Sequence, residues 1–454
     1  MEESNVNVSS QNLPQTLNNK LRNSLFVKLC FIGIILLVCQ IPMLMISELT
    51  EHRQGLAESV EMEVASKWGF RQNLIGPLLE IPLWQVRSES TKDGGTRQYT
   101  ERSTLVVVPD TLKVTATMEP ELRYRGIYEV MLYRSQITLE GVFSEPLPIP
   151  KDWQPELDKA KIYVGISDMI GLSNLKVESD CSSNKVLPGI NTRSVPFDSG
   201  LTIPLKLPEG GVLPADGLRF QASMSLNGCR NLSAVPLGKI TTIEITSTWT
   251  NPSFDGNFLP TERKIGPQGF QASWQINEFN RNITPYLLGG MDKQDLPVAG
   301  VSLLKPANVY VQVTRASTYS LLIFLIVLMA FLIVERLTKT WMHPLQYCLA
   351  ALSLVMFYAL TLALSEHLAF SLSYWLAAVA IAILCVFYCA LIFRKKTATV
   401  GIGLAVLVSY AVIFVLLRVE DYALLVGTLL VLALLTVLMG MTGRINQQGG
   451  KVGQ

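Results

Sequence analysis

Long runs of apolar residues constrain this chain more than any other feature of its sequence. A helix needs about 20 mostly apolar residues to cross the roughly 30 Å hydrocarbon layer of a membrane. Six stretches meet this requirement, at 29–46, 319–334, 345–364, 368–393, 400–417 and 422–441. The sequence therefore predicts a polytopic α-helical membrane protein with six transmembrane helices.

Charged residues are scarce and unevenly distributed. They make up 16% of the 454 residues, against about 25% in an ordinary soluble protein. Residues 48–315 hold 27 Lys and Arg and 30 Asp and Glu, whereas the rest of the chain holds 11 and 6. Together with a net charge of +2, this pattern excludes a soluble globular enzyme, a nucleic-acid binder and a disordered chain. It indicates a membrane protein that carries one large polar domain.

Basic residues predict the orientation, since cytoplasmic loops are enriched in Lys and Arg. With the N-terminus inside, the cytoplasmic segments contain ten of them: Lys20, Arg22, Lys28, Arg336, Lys339, Arg394, Lys395, Lys396, Arg444 and Lys451. The short outer loops contain Arg418 alone. We therefore expect cytoplasmic tails at 1–28 and 442–454, an outer domain at 47–318 and a five-helix transmembrane domain at 319–441. A cleavable signal peptide is the less favoured alternative for 29–46, because such peptides have apolar runs of about 7–15 residues.

The outer domain has the residue pattern of a β-rich fold that begins with a short helix. Leu56, Val60 and Val64 recur at four-residue spacing, which predicts a helix continuing out of the first span. Runs rich in Val, Ile, Thr, Tyr and Phe then predict strands at 97–108, 111–118, 161–166, 218–226, 240–249, 270–276 and 308–313. The favoured fold is an antiparallel β-sandwich, or two joined ones, and a mixed α+β domain is the alternative.

Two of the seven cysteines, Cys181 and Cys229, lie in the outer domain. In an oxidising compartment they could form a disulfide, which would close a loop of about 50 residues and add a few kcal/mol of stability. The alternative is two unrelated thiols that lie too far apart to bridge. We expect the disulfide.

Residues that could carry chemistry are few. The three histidines, His52, His343 and His367, are not spaced as metal ligands, and no nucleotide-binding or hydrolase motif is present. We therefore expect no catalytic residue, metal or cofactor. Glu366 and His367 form an acid–histidine pair that could transfer protons, although an interfacial loop cap is the favoured interpretation. The spans have no charged residue near their middle, which argues against transport.

Several motifs resemble those of one bacterial family. They are 232–238 (LSAVPLG), 247–249 (STW), 251–260 (NPSFDGNFLP), 269–274 (GFQASW), 343–347 (HPLQY), 352–358 (LSLVMFY) and 364–367 (LSEH). In this order they resemble the CreD family of inner-membrane proteins, also described as cell envelope integrity proteins. The positions that carry the resemblance most closely are Trp249, Pro252, Phe254, Gly256, Phe258, Pro260, His343, Pro344, Glu366 and His367. Thr314 departs from the family, which tends to have Asp there.

The resemblance implies a multi-pass protein of the bacterial inner membrane whose outer domain is periplasmic. It also implies a stress-response role, with expression under the CreBC two-component system and links to colicin tolerance and the β-lactam response. The favoured hypothesis is a non-enzymatic protein whose periplasmic domain binds an envelope protein or glycan, with the lipid bilayer as its other partner. A periplasm-facing enzyme acting on cell wall is the alternative, and a transporter is less favoured still. For Trp249, Phe254, Phe258 and Trp274, core and turn structure is favoured over a binding face.

Overall fold

The apolar stretches form helices in the computed structural model, which describes residues 25–90, 96–144, 146–181, 185–208, 213–214, 216–292, 296–304 and 309–418 and isolated helical residues between 425 and 439. The chain divides into two units. Met1–Leu56 with Ala307–Gln454 is called the membrane unit below, and Ala57–Pro306 is called the β-rich unit.

Six helices lie in the continuously described stretches: α1 Leu25–Trp68, α2 Val309–Thr318, α3 Ser320–Thr338, α4 Pro344–Ser365, α5 Phe370–Phe393 and α6 Lys396–Arg418. Five of them, all except α2, are long and apolar enough to cross a membrane. The sixth predicted span, 422–441, lies outside the stretches that the structure describes continuously. Helix α1 is a single helix of 44 residues. Its residues 25–56 belong to the membrane unit, and its residues 57–68 belong to the β-rich unit.

Segment 308–313 was predicted as a strand, and that prediction is wrong. Val309–Thr318 is helical, and its buried residues Tyr310, Val313 and Ala316 recur every third position. This spacing places them on one face of a helix. The β-branched residues of the segment favour a strand locally, but packing of this face overrides their weak intrinsic preference.

The described residues of the β-rich unit form 17 strands. In chain order they are β1 Gln72–Ser90, β2 Thr96–Val107, β3 Thr111–Arg125, β4 Tyr128–Phe143, β5 Gln154–Pro155, β6 Lys161–Ile166, β7 Leu172–Ser179, β8 Leu187–Pro188, β9 Gly200–Pro204, β10 Leu218–Cys229, β11 Asn231–Ala234, β12 Ile240–Ser247, β13 Pro252–Gly256, β14 Glu262–Gly266, β15 Gly269–Asn277, β16 Tyr286–Leu288 and β17 Ala299–Leu303.

The strands form two mixed sheets. The seven-stranded sheet has the order β14-β15-β12-β3-β4-β10-β7. The ten-stranded sheet follows β13-β17-β11-β1-β6-β9-β8, with β2 and β5 on β1 and β16 on β2. Most neighbours are antiparallel, but β1 pairs with β11 in parallel and β12 with β3 in parallel. The predicted antiparallel pairing is wrong at these two places, where strands that are distant in sequence run in the same direction.

One hydrophobic core receives side chains from both sheets. Leu79 and Val106 come from the ten-stranded sheet, and Val114, Leu139 and Trp274 from the seven-stranded sheet. Burial alternates along β12, as expected for a strand with one face toward the core. Trp274 is fully buried, and its indole Nε1 donates to the Phe258 carbonyl at 3.0 Å.

The last turns of α1 pack on the seven-stranded sheet within the β-rich unit. Ala65 is buried with Val130, Leu132 and Cys229. The Arg123 guanidinium lies 4.0 Å from the centre of the Trp68 ring, a cation–π contact. The helix ends at Trp68 and is followed by Gly69, whose φ is +138.

Candidate functional site

Two acidic residues of the membrane unit form ion pairs with residues of α1. Between positions 319 and 418 the sequence holds two acids, Glu335 and Glu366. Glu335 forms an ion pair with Lys28, and Glu366 forms one with Arg53, whose Nε lies 3.4 Å from Glu366 Oε1. Lys28 and Arg53 lie about 37 Å apart along α1, at about 1.5 Å per residue. This length is close to the roughly 30 Å hydrocarbon layer with part of its headgroup regions, so the two pairs hold α1 at both ends of its membrane-crossing part.

The Lys28–Glu335 pair is the more buried of the two. The side chain of Glu335 is 4% exposed and that of Lys28 is 13% exposed. Glu335 Oε1 also accepts from the Met342 backbone N–H at 3.2 Å, and Oε2 accepts from the Tyr347 hydroxyl at 2.6 Å. Both carboxylate oxygens therefore have donors, which a charged group needs when it leaves water. The carboxylate joins α1, α3, the linker after α3 and the first turn of α4.

A cavity of about 130 Å³ lies beside this pair. Its lining comprises Val27, Lys28, Phe31, Trp341, Met342, Pro344 and Tyr347. The polar ends of Lys28 and Tyr347 are hydrogen-bonded to Glu335. The rest of the lining is apolar apart from the Trp341 indole N–H, so the cavity is complementary to an apolar group rather than to an ion.

The Arg53–Glu366 pair includes the acid of the Glu366–His367 motif. Glu366 is the C-cap residue of α4, and its backbone N–H donates to the Leu364 carbonyl. His367 is exposed, and its backbone N–H donates to the same carbonyl at 3.1 Å. The structure thus places Glu366 against Arg53 and places the imidazole of His367 at the surface.

His343 and Pro344 begin α4. The Nδ1 atom of His343 accepts from the Leu345 backbone N–H at 3.2 Å, and its own backbone N–H donates to Gln346 Oε1 at 2.9 Å. Pro344 occupies the first helical turn, where its missing N–H costs nothing. These two motif residues therefore set the start of the helix that carries Tyr347.

The motif residues between Trp249 and Pro260 hold β13 against the hydrophobic core through hydrogen bonds and ring contacts. Trp249 Nε1 donates to the Asn251 and Leu304 carbonyls at 3.1 and 3.0 Å. Phe254 contacts Phe270 and Trp274 edge-on, with ring centres 6.0 and 5.9 Å apart. Gly256 has φ +107, and a Cβ there would lie 2.2 Å from the Val298 carbonyl oxygen. Three further motif positions, Pro252, Phe258 and Pro260, are half-buried.

The predicted disulfide between Cys181 and Cys229 is wrong, because both thiols are free. Ser179 pairs with Phe220 on β10, whereas Cys229 is the last residue of that strand. At about 3.3 Å per residue, Cys181 and Cys229 lie roughly 30 Å apart along the sheet. A disulfide requires Cα atoms within about 7 Å.

Cys229 is buried and its Sγ lies 3.7 Å from Glu61 Oε1, within hydrogen-bond range for sulfur. Burial, followed by the charge of Glu61, raises the pKa of the Cys229 thiol to about 12. The thiolate that attacks disulfides and alkylating reagents is therefore nearly absent near neutral pH. Among the described residues no group of three or more His, Cys, Asp or Glu is arranged to hold a metal ion.

Sequence reasoning missed the partnership of Glu335, Lys28 and Tyr347. Lys28 was counted as a marker of orientation, and Glu335 lies just beyond the predicted span. The signal that could have found the pair is the scarcity of charge: two acids in 319–418, and two basic residues, Lys28 and Arg53, in the part of α1 that belongs to the membrane unit. Their partnership needed the tertiary structure, since 307 positions separate Lys28 from Glu335.

Comparison with known proteins assigns the family. The family model described as "Inner membrane protein CreD" matches residues 24–448, nearly the whole chain. This chain belongs to the CreD family. Inner membrane protein CreD of Escherichia coli (strain K12) is 30% identical over 436 residues, which cover 94% of each chain. This CreD family member is therefore an inner membrane protein with several membrane-spanning helices.

Solved structures of an M1 zinc metallopeptidase match part of the chain at low similarity. An M1 zinc metallopeptidase mutant from Deinococcus radiodurans, bound to a Tyr-Ser-Ala substrate, is 11% identical with a TM-score of 0.20. The match covers 42% of this chain and 41% of the metallopeptidase. Another structure of the Deinococcus radiodurans enzyme is 10% identical with the same TM-score, over 46% of this chain and 52% of the other. Similarity at this level carries no argument about the CreD family member.

Proposed function

We propose that this CreD family member supports cell envelope integrity as a non-enzymatic protein, with an anchoring membrane unit and a β-rich unit that binds an envelope protein or glycan. The observation that carries the proposal is the use of both acids of 319–418 in ion pairs to α1. Intramembrane acids of pumps and transporters face ion paths, whereas these two hold helices together. The β-rich unit is then the part of the chain available to partners.

The proposed topology has both termini in the cytoplasm, the domain 47–318 in the periplasm, a sixth span at 422–441 and a sandwich arrangement of the two sheets. The excess of basic residues on one side supports the orientation. Glu335 neutralises the charge of Lys28. Without Lys28, this arrangement still places nine basic residues on the cytoplasmic side and only Arg418 in the short outer loops.

A pair of reporter fusions tests this topology. A reporter that matures only in the cytoplasm, fused after residue 454, is expected to be active. A reporter that is active only in the periplasm, inserted next to the exposed residue Lys185, is expected to be active as well. Activity of the periplasmic reporter after residue 454 and of the cytoplasmic reporter next to Lys185 would contradict the orientation. A periplasmic partner would then be excluded as well.

Phe279 marks a surface of the β-rich unit that suits a partner. Its side chain is 92% exposed, and Ile240 nearby is 57% exposed. The two are neighbours because the Glu278 backbone N–H donates to the Lys239 carbonyl at 2.7 Å. Exposed aromatic side chains are enriched at protein interfaces, so Phe279 is the position at which we expect a partner to dock.

Site-specific photo-crosslinking in whole cells tests partner binding. A photoreactive residue at position 279 is expected to give a discrete adduct, whereas the same residue at the exposed position Lys264 on β14 serves as the matched control. Digestion of the adduct with protease or with a glycan hydrolase distinguishes a protein from a glycan. Equal, diffuse labelling from both positions would contradict binding at this surface.

We further propose that expression is controlled by CreBC and that the protein affects colicin tolerance and the β-lactam response. Family membership supports these proposals. A promoter fusion assayed with and without CreBC, and colicin and β-lactam sensitivity of a deletion strain complemented with this chain, test them. An unchanged promoter signal and unchanged sensitivities would contradict them.

A further inference from the structure

Arg281 is a buried arginine whose guanidinium has no hydrogen-bond partner in the described part of the chain. It lies immediately after the short turn Glu278–Asn280, and its backbone N–H donates to the Glu278 carbonyl at 3.3 Å. The residue is 5% exposed. Its three guanidinium nitrogens, Nε, Nη1 and Nη2, are buried and have no hydrogen-bond partner among the residues that the structure describes.

Burying this cation without a hydrogen-bond acceptor lowers the stability of the fold, which is unexpected for a side chain with only a structural role. A buried charge is normally paired, and removing its partner leaves a large desolvation cost. Burial lowers the pKa of the Arg281 guanidinium, while the charge of Glu278 acts in the opposite direction. Arginine keeps its proton in proteins even so, and the described residues leave the cation without a hydrogen-bond acceptor.

The location of Arg281 connects it to the surface proposed for the partner. Phe279, which is 92% exposed, lies two residues before it in the same turn. The hydrogen bonds between Asn277 and Asn280 hold that turn in place. A partner that docks on Phe279 therefore contacts the turn that directly precedes Arg281.

We propose that Arg281 is the receptor for an oxyanion, a carboxylate or phosphate group, on the envelope partner of the β-rich unit. The planar guanidinium presents parallel N–H donors that match two oxygens of either group. The proposal rests on the proposed function, because the anion belongs to the partner that docks at Phe279. Since the guanidinium is covered in the unliganded structure, binding requires local opening, which lowers the apparent affinity.

Small anions test the site without the partner. The full chain in detergent is unfolded thermally in acetate, in inorganic phosphate and in chloride at equal ionic strength, while hydrogen exchange identifies the transition of the β-rich unit. Wild type is expected to unfold at a higher temperature as acetate or phosphate concentration increases. The larger of the two shifts identifies the group as a carboxylate or a phosphate.

Substitutions assign the effect to Arg281. In chloride, Arg281→Met is expected to unfold several degrees above wild type, because it removes a buried unpaired charge. It is also expected to lose the anion-dependent shift, whereas Arg281→Lys keeps a reduced one. Arg263→Met, at an exposed position on β14, is the matched control and is expected to behave as wild type.

The proposal is overturned if neither acetate nor phosphate raises the unfolding temperature of wild type above its value in chloride. It is also overturned if they raise that of Arg281→Met equally. If Arg281→Met does not fold, the wild-type and Arg281→Lys series decide the question. These results are independent of crosslinking at position 279, so failure of the anion site and failure of partner binding are distinguishable.

Discussion

At the scale of single residues, Glu335 illustrates how a membrane protein tolerates a buried carboxylate. Lys28 supplies the opposite charge, and the Tyr347 hydroxyl and Met342 backbone N–H supply further donors. A buried pair of this kind is weak evidence for net stabilisation, because desolvation offsets much of the attraction. Its contribution is to specify which part of α1 meets α3 and α4.

Gly256 gives a prediction about the family motif. Replacing it with alanine forces a side chain into a left-handed backbone conformation and places Cβ 2.2 Å from the Val298 carbonyl oxygen. We expect the free energy of unfolding of the β-rich unit to fall by about 1–3 kcal/mol. Denaturant unfolding of the full chain measures the change. Gly266→Ala is the control, since its Cβ would have no neighbour within 4 Å, and an equal loss there would contradict the explanation.

Asp110 predicts a pH dependence. Burial raises the pKa of this carboxyl, but hydrogen bonds from the Lys239 ammonium and the Ser144 backbone N–H outweigh it and hold the pKa below its usual value. The folded pKa is therefore below the unfolded value of about 3.9. Its stabilising contribution is complete above that pH and is lost as pH falls through the folded pKa. Asp110→Asn should destabilise the protein at pH 7, and the loss should shrink as pH falls through the folded pKa; a loss that does not change with pH would contradict this.

The two thiols of the β-rich unit give a chemical prediction. Because the pKa of Cys229 is raised to about 12, we expect it to react with iodoacetamide far more slowly than the half-buried Cys181 at pH 8. After denaturation without reductant, both should be alkylated, as counted by peptide mass spectrometry. A peptide pair that appears only after reduction would show a disulfide and contradict the structure.

At the scale of elements, the ion pairs at the two ends of the membrane-crossing part of α1 differ in burial. The side chains of Arg53 and Glu366 are 38% and 12% exposed, against 13% and 4% for Lys28 and Glu335. Partly exposed pairs contribute about 1 kcal/mol or less. We therefore expect Arg53→Gln to lower the thermal unfolding temperature far less than Lys28→Gln does in the same detergent. A larger effect at Arg53 would contradict the ranking.

Elements also show what sequence could and could not predict. The apolar stretches around 319–417 predicted helices because length and hydropathy alone decide them. Segment 308–313 was predicted wrongly because its β-branched residues favour a strand when tertiary packing is ignored. The parallel pairing of β3 with β12 could not be predicted either, since the information lies in contacts between distant residues.

At the scale of the whole molecule, sequence identified the class of protein but not its internal contacts. The motifs around Trp249 and His343 resembled the CreD family, and the family match over 24–448 confirms that prediction. The favoured disulfide was wrong because register along β10, which sequence does not reveal, separates Cys181 from Cys229. The Lys28–Glu335 pair remained hidden because 307 positions separate its two residues along the chain.

Ion pairs hold α1 within the membrane unit, and a double-mutant cycle at Lys28 and Glu335 tests this arrangement. Thermal unfolding of wild type, Lys28→Met, Glu335→Met and the double variant is measured in one detergent. Each single variant leaves a buried charge without its partner, so we predict a loss of about 3–5 kcal/mol. The double variant is predicted to recover most of it, because both charges are gone. Single variants that match wild type, or a double variant whose loss equals the sum of the two, would contradict the claim.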